Sequence, residues 1–424
     1  MVRRVVVTGL GVIAPNAHGL IEFESALKSG LSGIRKIPAL EQANFRCQVG
    51  GIPQGIADKV HSYFSEEDLL AMNEAMIYGG IASIDAWRDA GLALPSRDSD
   101  EVCWDTGCVL GSGLSGMDTI GSVLVPKINE GKVRRMGSTM VEQTMSSSIS
   151  AKLSGLLALG NQVTTNSSAC NTGTEAIHDA FHRIRCGLAE RMLSGGAESS
   201  SLYIWGGFDA MRVLNSESNE HPQKASRPMS ASAAGFIPGA GSGVLVLESL
   251  ECALARKARI YAEILAAVVN CGGQRQGGSM TAPNNISVQR CIRATVEAAG
   301  IGPEQVDAIN GHLTGTMGDV LEVNNWAAAL ECASGRLPLI NSTKSMIGHC
   351  LGAAGSIEAI AALLQLKSDF VHASINCEDL HPELVAFEKS IVRRTTSVKL
   401  EIIAKSSFGF GDVNGCLIFK KWHE

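Results

Sequence analysis

Gln162-Val163-Thr164-Thr165-Asn166-Ser167-Ser168-Ala169-Cys170-Asn171-Thr172-Gly173-Thr174-Glu175 is the stretch whose reading decides the fold. Its first four residues are rich in β-branched side chains and strand-like, and its middle is a run of small residues suited to a sharp turn. The next segment is amphipathic: Ala176, Ile177, Ala180, Phe181 and Ile184 recur at three- and four-residue spacing, basic Arg183 and Arg185 sit near the end, and Gly187 can stop the helix. Strand, tight turn and helix in that order are the unit of an α/β protein. Cys170 falls at the turn, at the helix N-terminus. Free N–H groups and the helix dipole there are expected to favour a thiolate, which makes it a candidate nucleophile.

Moving outward, the same grammar recurs. Val5-Val6-Val7, Cys108-Val109-Leu110, Gly243 to Leu247, Leu337 to Ile340 and Cys416 to Phe419 read as further short strands alternating with helical stretches. The 46 glycines gather at strand ends, in Gly111-Ser112-Gly113, Gly195-Gly196, Gly239 to Gly243 and Gly409-Phe410-Gly411, where α/β proteins place ligands. Glu248 to Lys257 reads as a surface helical connector and sets the expected division into residues 1–250 and 251–424. Asn215 to Ala234, rich in Ser, Asn and Pro, reads as an ordered loop over a site. No internal sequence repeat is visible.

A chain of 424 residues with 45% hydrophobic and 18% charged side chains can bury a large core. The first residues, through Val7-Thr8-Gly9, read as a strand and not as a signal peptide. Apolar runs fall short of the roughly 18 residues a membrane span requires, so a cytoplasmic location without membrane attachment is expected. The net charge of −6 argues against nucleic acid as a partner. Twelve cysteines scattered without a CxxC pair read as reduced thiols, mostly small core residues, of which at most one or two are expected to be chemically active.

Two histidines have unusual surroundings. His312 lies in Ile309-Asn310-Gly311-His312-Leu313-Thr314-Gly315-Thr316-Met317-Gly318-Asp319, and His349 lies in a small-residue segment after the strand Leu337 to Ile340. Lys344 precedes His349 by five residues and Glu358 lies nine residues beyond it. Charges in such apolar company are costly unless paired, and a buried Lys/Glu pair beside a histidine can fix its tautomer. His178 and His182, on the helix after Cys170, read as surface or packing residues.

Taken together, these segments resemble the β-ketoacyl-acyl-carrier-protein synthases of types I and II over nearly the whole chain. The likeness rests on Ser168-Ala169-Cys170, Gly195-Gly196-Ala197-Glu198, Ala225-Ser226-Arg227-Pro228, Ser342-Thr343-Lys344-Ser345-Met346-Ile347-Gly348-His349 and Ser407-Phe408-Gly409-Phe410-Gly411, in family order. The resemblance implies a thiolase-like fold of two similar α/β halves in a five-layered α-β-α-β-α arrangement, usually a homodimer. It implies decarboxylative Claisen condensation with a malonyl thioester, with acyl carrier protein as partner and no cofactor or metal. Cys170 matches the acyl-accepting nucleophile, His312 and His349 the pair serving the malonyl group, and Lys344 and Glu358 their supporting pair. Phe408 matches the gate whose N–H joins that of Cys170 in an oxyanion hole. Phe410 belongs with the substrate-binding residues, Thr314 and Thr316 match hydroxyls on the pantetheine arm, and Leu114 matches a side chain at the acyl-pocket mouth. Lys127, Lys132, Arg134 and Arg135 fall where relatives contact the acidic carrier, whereas Ser65-Glu66-Glu67-Asp68-Leu69-Leu70 is acidic where relatives are basic.

The chain departs from the family pattern in three places. Leu313 and Gly315 replace Gly and Ser around the first histidine, with one residue missing before Asp319. Asp412-Val413 replaces Gly-Thr in the last glycine-rich loop, and the charged segment before Gly235 is reduced to Met229-Ser230-Ala231-Ser232-Ala233-Ala234. An inactive chain-length partner is disfavoured by the retained Cys170, and a thiolase by the absence of a glycine-rich motif around Cys416. A ketosynthase of a dedicated polyene or polyketide pathway is the alternative to fatty acid biosynthesis.

Overall fold

The computed structural model describes residues 2–332 and 337–423. In chain order the principal strands are β1 (Val5–Ala14), β2 (Thr106–Gly111), β3 (Val163–Thr164), β4 (Arg191–Glu198), β5 (Gly241–Ser249), β6 (Ala262–Cys271), β7 (Ala308–Asn310), β8 (Leu339–Asn341), β9 (Ile402–Gly409) and β10 (Val413–Lys421). They join edge to edge in the order β8-β7-β9-β10-β6-β1-β5-β4-β2-β3, with Ala17–His18 added beside β1. β3, β2 and β4 run parallel, and β5 and β1 follow antiparallel. β8, β7 and β9 likewise run parallel, and β10 and β6 follow antiparallel. Numbered within its own half, each set of five strands therefore has the order 3-2-4-5-1, a repeat that no residue pattern displays. β1 and β6 pair through Val5 to Val7, which closes the two sets into one sheet.

Six helices complete the layers: α1 (Glu74–Asp89), α2 (Ser148–Leu157), α3 (Thr172–Arg185), α4 (Asn285–Ala299), α5 (Gly318–Ala329) and α6 (Ala354–Ser368). α1 and α2 pack on the outer face of the first strand set and α4 on that of the second, with α5 against α4. α3 and α6 lie between the sets and touch both. The order of layers is helix, sheet, helix, sheet, helix, with one core in the central layer and one under each outer layer.

α3 buries the face its periodicity predicts, namely Ala176, Ile177, Ala180, Phe181 and Ile184. α6 is buried almost all round from Ala354 to Leu366, as a central-layer helix must be. The two helices meet at small residues. A Cβ on Gly173 would lie 2.7 Å from the Ser356 nitrogen, and one on Gly355 would lie 2.4 Å from Thr174 Oγ1. A larger side chain at either place would push the helix starts, and the groups just before them, apart.

Two expectations need correction. Glu248 is not on a surface connector: it lies at the end of β5, fully buried, accepting from Thr8 and ion-paired with Arg191 and Arg256, and the helix begins only at Leu250. The strand before Cys170 is shorter than expected, confined to Val163–Thr164, although the Gln162 carbonyl still accepts from the Cys108 N–H at 2.8 Å. Among the described residues no helix is long and apolar enough to cross a membrane.

Candidate active site

The repeat places Cys170 and His349 at corresponding points, each shortly before the helix that comes after the third strand of its half. Because α3 and α6 pack closely, these points converge. His312 enters on the loop after β7. The Cys170 sulfur and one ring nitrogen from each histidine lie within 4.8 Å of one another. They line a cavity of about 620 Å³ together with Thr314, Thr316, Phe408 and Phe410.

The turn carrying Cys170 is a short 3₁₀ segment, Ala169–Asn171, that runs into α3. Ala169 has φ of 50°, a left-handed conformation costing a non-glycine residue about 1 kcal/mol or more. The Thr172 hydroxyl, donating to the Ala169 carbonyl at 2.7 Å and accepting from the Ser168 N–H at 2.9 Å, holds that turn. The expected thiolate does not follow from the helix terminus alone. Burial pushes the Cys170 thiol up to about 11, against the opposing pull of Lys344 and of a hydrogen bond donated by the Phe410 N–H.

That donor also corrects the gate assignment. Phe408 is a buried residue of the second outer core, whereas Phe410, beyond the end of β9, offers its N–H to Cys170 and packs 6.3 Å from the Phe208 ring. The sequence shows two Phe-Gly pairs, and only the strand end distinguishes them.

Hydrogen bonds set the histidine tautomers. His349 Nδ1 accepts the Leu351 N–H at 3.2 Å, so its proton sits on Nε2, which is buried, without a partner. His312 Nδ1 faces the Lys344 ammonium at 3.4 Å, so its Nε2 carries the proton too. The rings stand edge to face, 5.3 Å apart at 84°. Burial, then the Lys344 charge, hold both imidazoles well below the usual histidine range, so they are neutral donors.

Behind them Lys344 donates to the His312 carbonyl at 2.7 Å and pairs with Glu358. Glu322, which no sequence motif singles out, accepts the N–H groups of His312 and Leu313 at 2.7 Å each. Burial raises it to about 7, though those donors favour the carboxylate. Asp319 accepts from Thr314 at 2.7 Å, Gly315 at 3.0 Å and Met229 at 2.8 Å. These two carboxylates, spaced to lie on one face of α5, fix the altered loop; Leu313 points into the core and the Thr314 and Thr316 hydroxyls meet at 2.9 Å. Glu198, which closes the Gly195 to Glu198 motif, is fully buried and accepts from Gly113 at 2.8 Å, Leu114 at 3.2 Å and Gly352 at 3.0 Å. Leu114 is partly exposed and outside the cavity lining. Lys132, Arg134 and Arg135 are exposed and Lys127 half-buried on a separate surface segment.

A half-buried cysteine facing two neutral histidine donors, mounted on a doubled α/β unit, defines a cysteine acyltransferase of the thiolase-like class. The β-ketoacyl synthase N-terminal and C-terminal domain models match residues 2–253 and 261–378. The 3-oxoacyl-[acyl-carrier-protein] synthase 2 of Vibrio cholerae is 36% identical over 424 residues, covering 99% of both chains. A solved β-ketoacyl synthase from Burkholderia phymatum superposes with a TM-score of 0.91 at 28% identity, over 99% of this chain and 100% of that one. A type II polyketide ketosynthase solved with its acyl-carrier protein, AntDE:AntF, superposes at 0.88 with 27% identity over the full length of both chains. The chain belongs to the β-ketoacyl synthase family of condensing enzymes.

Proposed function

We propose that the chain is a 3-oxoacyl-[acyl-carrier-protein] synthase of fatty acid biosynthesis, lengthening an acyl group on Cys170 by decarboxylative Claisen condensation with a malonyl thioester. The observation carrying this reading is the convergence of the Cys170 sulfur and the two histidine nitrogens within 4.8 Å. In the first half-reaction Cys170 attacks the acyl thioester, its proton leaves with the carrier thiol, and the N–H groups of Phe410 and Cys170 receive the oxyanion. In the second, the malonyl carboxylate departs as carbon dioxide. The enolate oxygen rests on the Nε2–H donors of His312 and His349, and the enolate carbon attacks the acyl carbonyl. Collapse of that adduct expels the Cys170 thiolate, which regains a proton from solvent. Thr314 and Thr316, at the cavity wall, suit the pantetheine arm.

The carrier itself is the acidic acyl carrier protein, a partner supported by the AntDE:AntF complex and by the exposed Arg134 and Arg135. A homodimer is supported by the open edge of β3 and by exposed apolar side chains such as Val125, Val133 and Tyr203. Twelve free cysteines suit the reducing cytoplasm.

Separated half-reactions test the assignment. His312→Ala and His349→Ala are expected to acylate Cys170 yet lose malonyl decarboxylation by about a hundredfold or more, the usual cost of an oxyanion donor. Cys170→Gln is expected to lose acyl transfer and keep decarboxylation. Loss of both activities in Cys170→Gln would show the division of labour to be wrong.

A further inference from the structure

Lys405 lies on β9, three residues before Phe408, and its side chain is fully buried. A lone ammonium there would be prohibitively costly, so what surrounds it matters. Its Nζ lies 2.8 Å from Glu358 Oε2, while Lys344 takes Glu358 Oε1, so one carboxylate is shared by two buried ammoniums. Lys405 also donates to the Ser406 carbonyl and, at 2.6 Å, to the Ser407 hydroxyl. Ser407 bonds Thr174 at 2.8 Å, on the first turn of α3 beyond Cys170. Ser406 donates to Glu322 at 3.0 Å, the carboxylate that holds the His312 N–H. Lys405 thus connects the strand leading to the gate, the helix behind the nucleophile and the loop of the first histidine.

We propose that Lys405 is a positioning residue of the condensation step: its shared grip on Glu358 supplies a second fixed positive charge behind the two histidines, keeping them as neutral donors that hold the enolate without protonating it. The proposal rests on the reading of His312 and His349 as enolate donors. Its chemical content is a choice between two fates of the enolate. Attack on the acyl-Cys170 carbonyl makes the carbon–carbon bond; capture of a proton from an imidazolium yields an acetyl thioester and leaves the acyl group stranded on Cys170. Both come after the same loss of carbon dioxide, so only the proton inventory of the site separates them.

The charged and titratable groups facing Lys405 are Glu358 from α6, Lys344 from the short helix Lys344–Ile347, Glu322 from α5, Cys416 from β10, and His312 and His349 from their loops. With Glu358 ionised, the two ammoniums leave one surplus positive charge unless Glu322 is ionised as well. Burial raises Glu322 to about 7, so the surplus is largest on the acid side, where the histidines would otherwise protonate. After burial and Lys344, and for His312 also after His349, the Lys405 charge acts on both rings in the same direction.

The test measures how consumed malonyl carrier divides between condensed product and acetyl thioester, from about pH 5.5 to about pH 8.5, in wild type, Lys405→Met and Lys405→Arg. In Lys405→Met the acetyl fraction near pH 6 is expected to rise roughly threefold or more and to return to the wild-type value by about pH 8.5. The pH midpoint of this rise should track the histidine titrations, read by ¹⁵N resonances, which move up by about one unit when a neighbouring charge is removed. Lys405→Arg keeps the charge and is expected to keep the wild-type partition even if it melts earlier. An unchanged partition, or a loss of turnover equal at every pH, overturns the proposal. If neither variant folds, the wild-type titration decides: either histidine titrating near the ordinary value of about 6.5 overturns the proposal. Failure of the underlying reading looks different, because His312→Ala and His349→Ala would then decarboxylate normally.

Discussion

Single side chains in this site are governed by burial competing with a few aimed hydrogen bonds. At Cys170 burial prevails over the pull of Lys344 and the Phe410 N–H, so its nucleophilicity depends on losing the thiol proton during acyl transfer. Its labelling by iodoacetamide should therefore rise with pH above neutrality. At Glu322 burial again prevails, raising the carboxyl to about 7 although the N–H groups of Leu313 and His312 favour its carboxylate. Its folded value lies above the ordinary 4.5, so protonation favours the fold: this stability is fully present below about 4.5 and is lost as pH rises through 7. For a fully buried group the loss amounts to about 3 kcal/mol. Glu322→Gln abolishes that dependence. Urea unfolding near pH 5 and near pH 8 should show wild-type stability falling relative to the variant, and a pH-independent difference would refute the assignment. The variant's amide nitrogen also faces an N–H that needs an acceptor, so decarboxylation is expected to fall about tenfold or more near pH 8, consistent with a loosened His312 loop.

Segments around the site are held by carboxylates placed where glycine-rich loops would otherwise be free. Asp412, in the turn between β9 and β10, has φ of 64° and is buried. Its carboxylate accepts the Asn284 N–H at 2.7 Å and the Gln274 N–H at 3.0 Å, and its carbonyl accepts Gly272 at 3.0 Å. Thr281, Ala282 and Pro283 of the loop it grips line the catalytic cavity. The turn after Phe410 is therefore tied to this wall. Asp412→Gly relieves backbone strain of about 1 kcal/mol but removes two backbone N–H hydrogen bonds to a charged group, each contributing about 1.5–3 kcal/mol, so the loss prevails. Amide exchange at Gln274 and Asn284 should accelerate roughly tenfold or more, with a lower melting temperature. Unchanged exchange at those two amides would show that the turn is held by its backbone alone.

Across the whole molecule the charge is arranged unevenly. Asp68 of the acidic segment is engaged by Arg97 and by Lys152 at 3.0 Å, and caps its own helix with Ser65, so it is structural. Lys132 is paired with Glu130 at 2.8 Å, which leaves Arg134 and Arg135 as the exposed basic pair of their segment. Steering of an acidic carrier falls with ionic strength, whereas a free pantetheine thioester has no protein charge to steer. Arg134→Glu combined with Arg135→Glu is expected to raise KM for acyl carrier roughly tenfold or more and to leave turnover of a small acyl-pantetheine nearly unchanged. Equal damage to both substrates would place carrier docking elsewhere.

The strand–turn–helix at Cys170, the apolar face of α3 and the surroundings of His312 and His349 were all legible in the residues, because periodicity, turn chemistry and helix-start rules act over a few positions. Lys344 and Glu358 could be paired because an isolated buried charge is improbable anywhere. The tertiary structure alone decided that Lys405 joins that pair, that Glu322 holds the His312 loop, that Phe410 and not Phe408 reaches the sulfur, and that Glu248 is buried. Each of these depends on which strands lie side by side and how closely α3 and α6 approach, across separations of tens to hundreds of residues. The 3-2-4-5-1 repeat is the plainest case. It is a pattern of hydrogen bonds between backbones, which many sequences satisfy equally, so the two halves share the arrangement without a visible likeness in sequence.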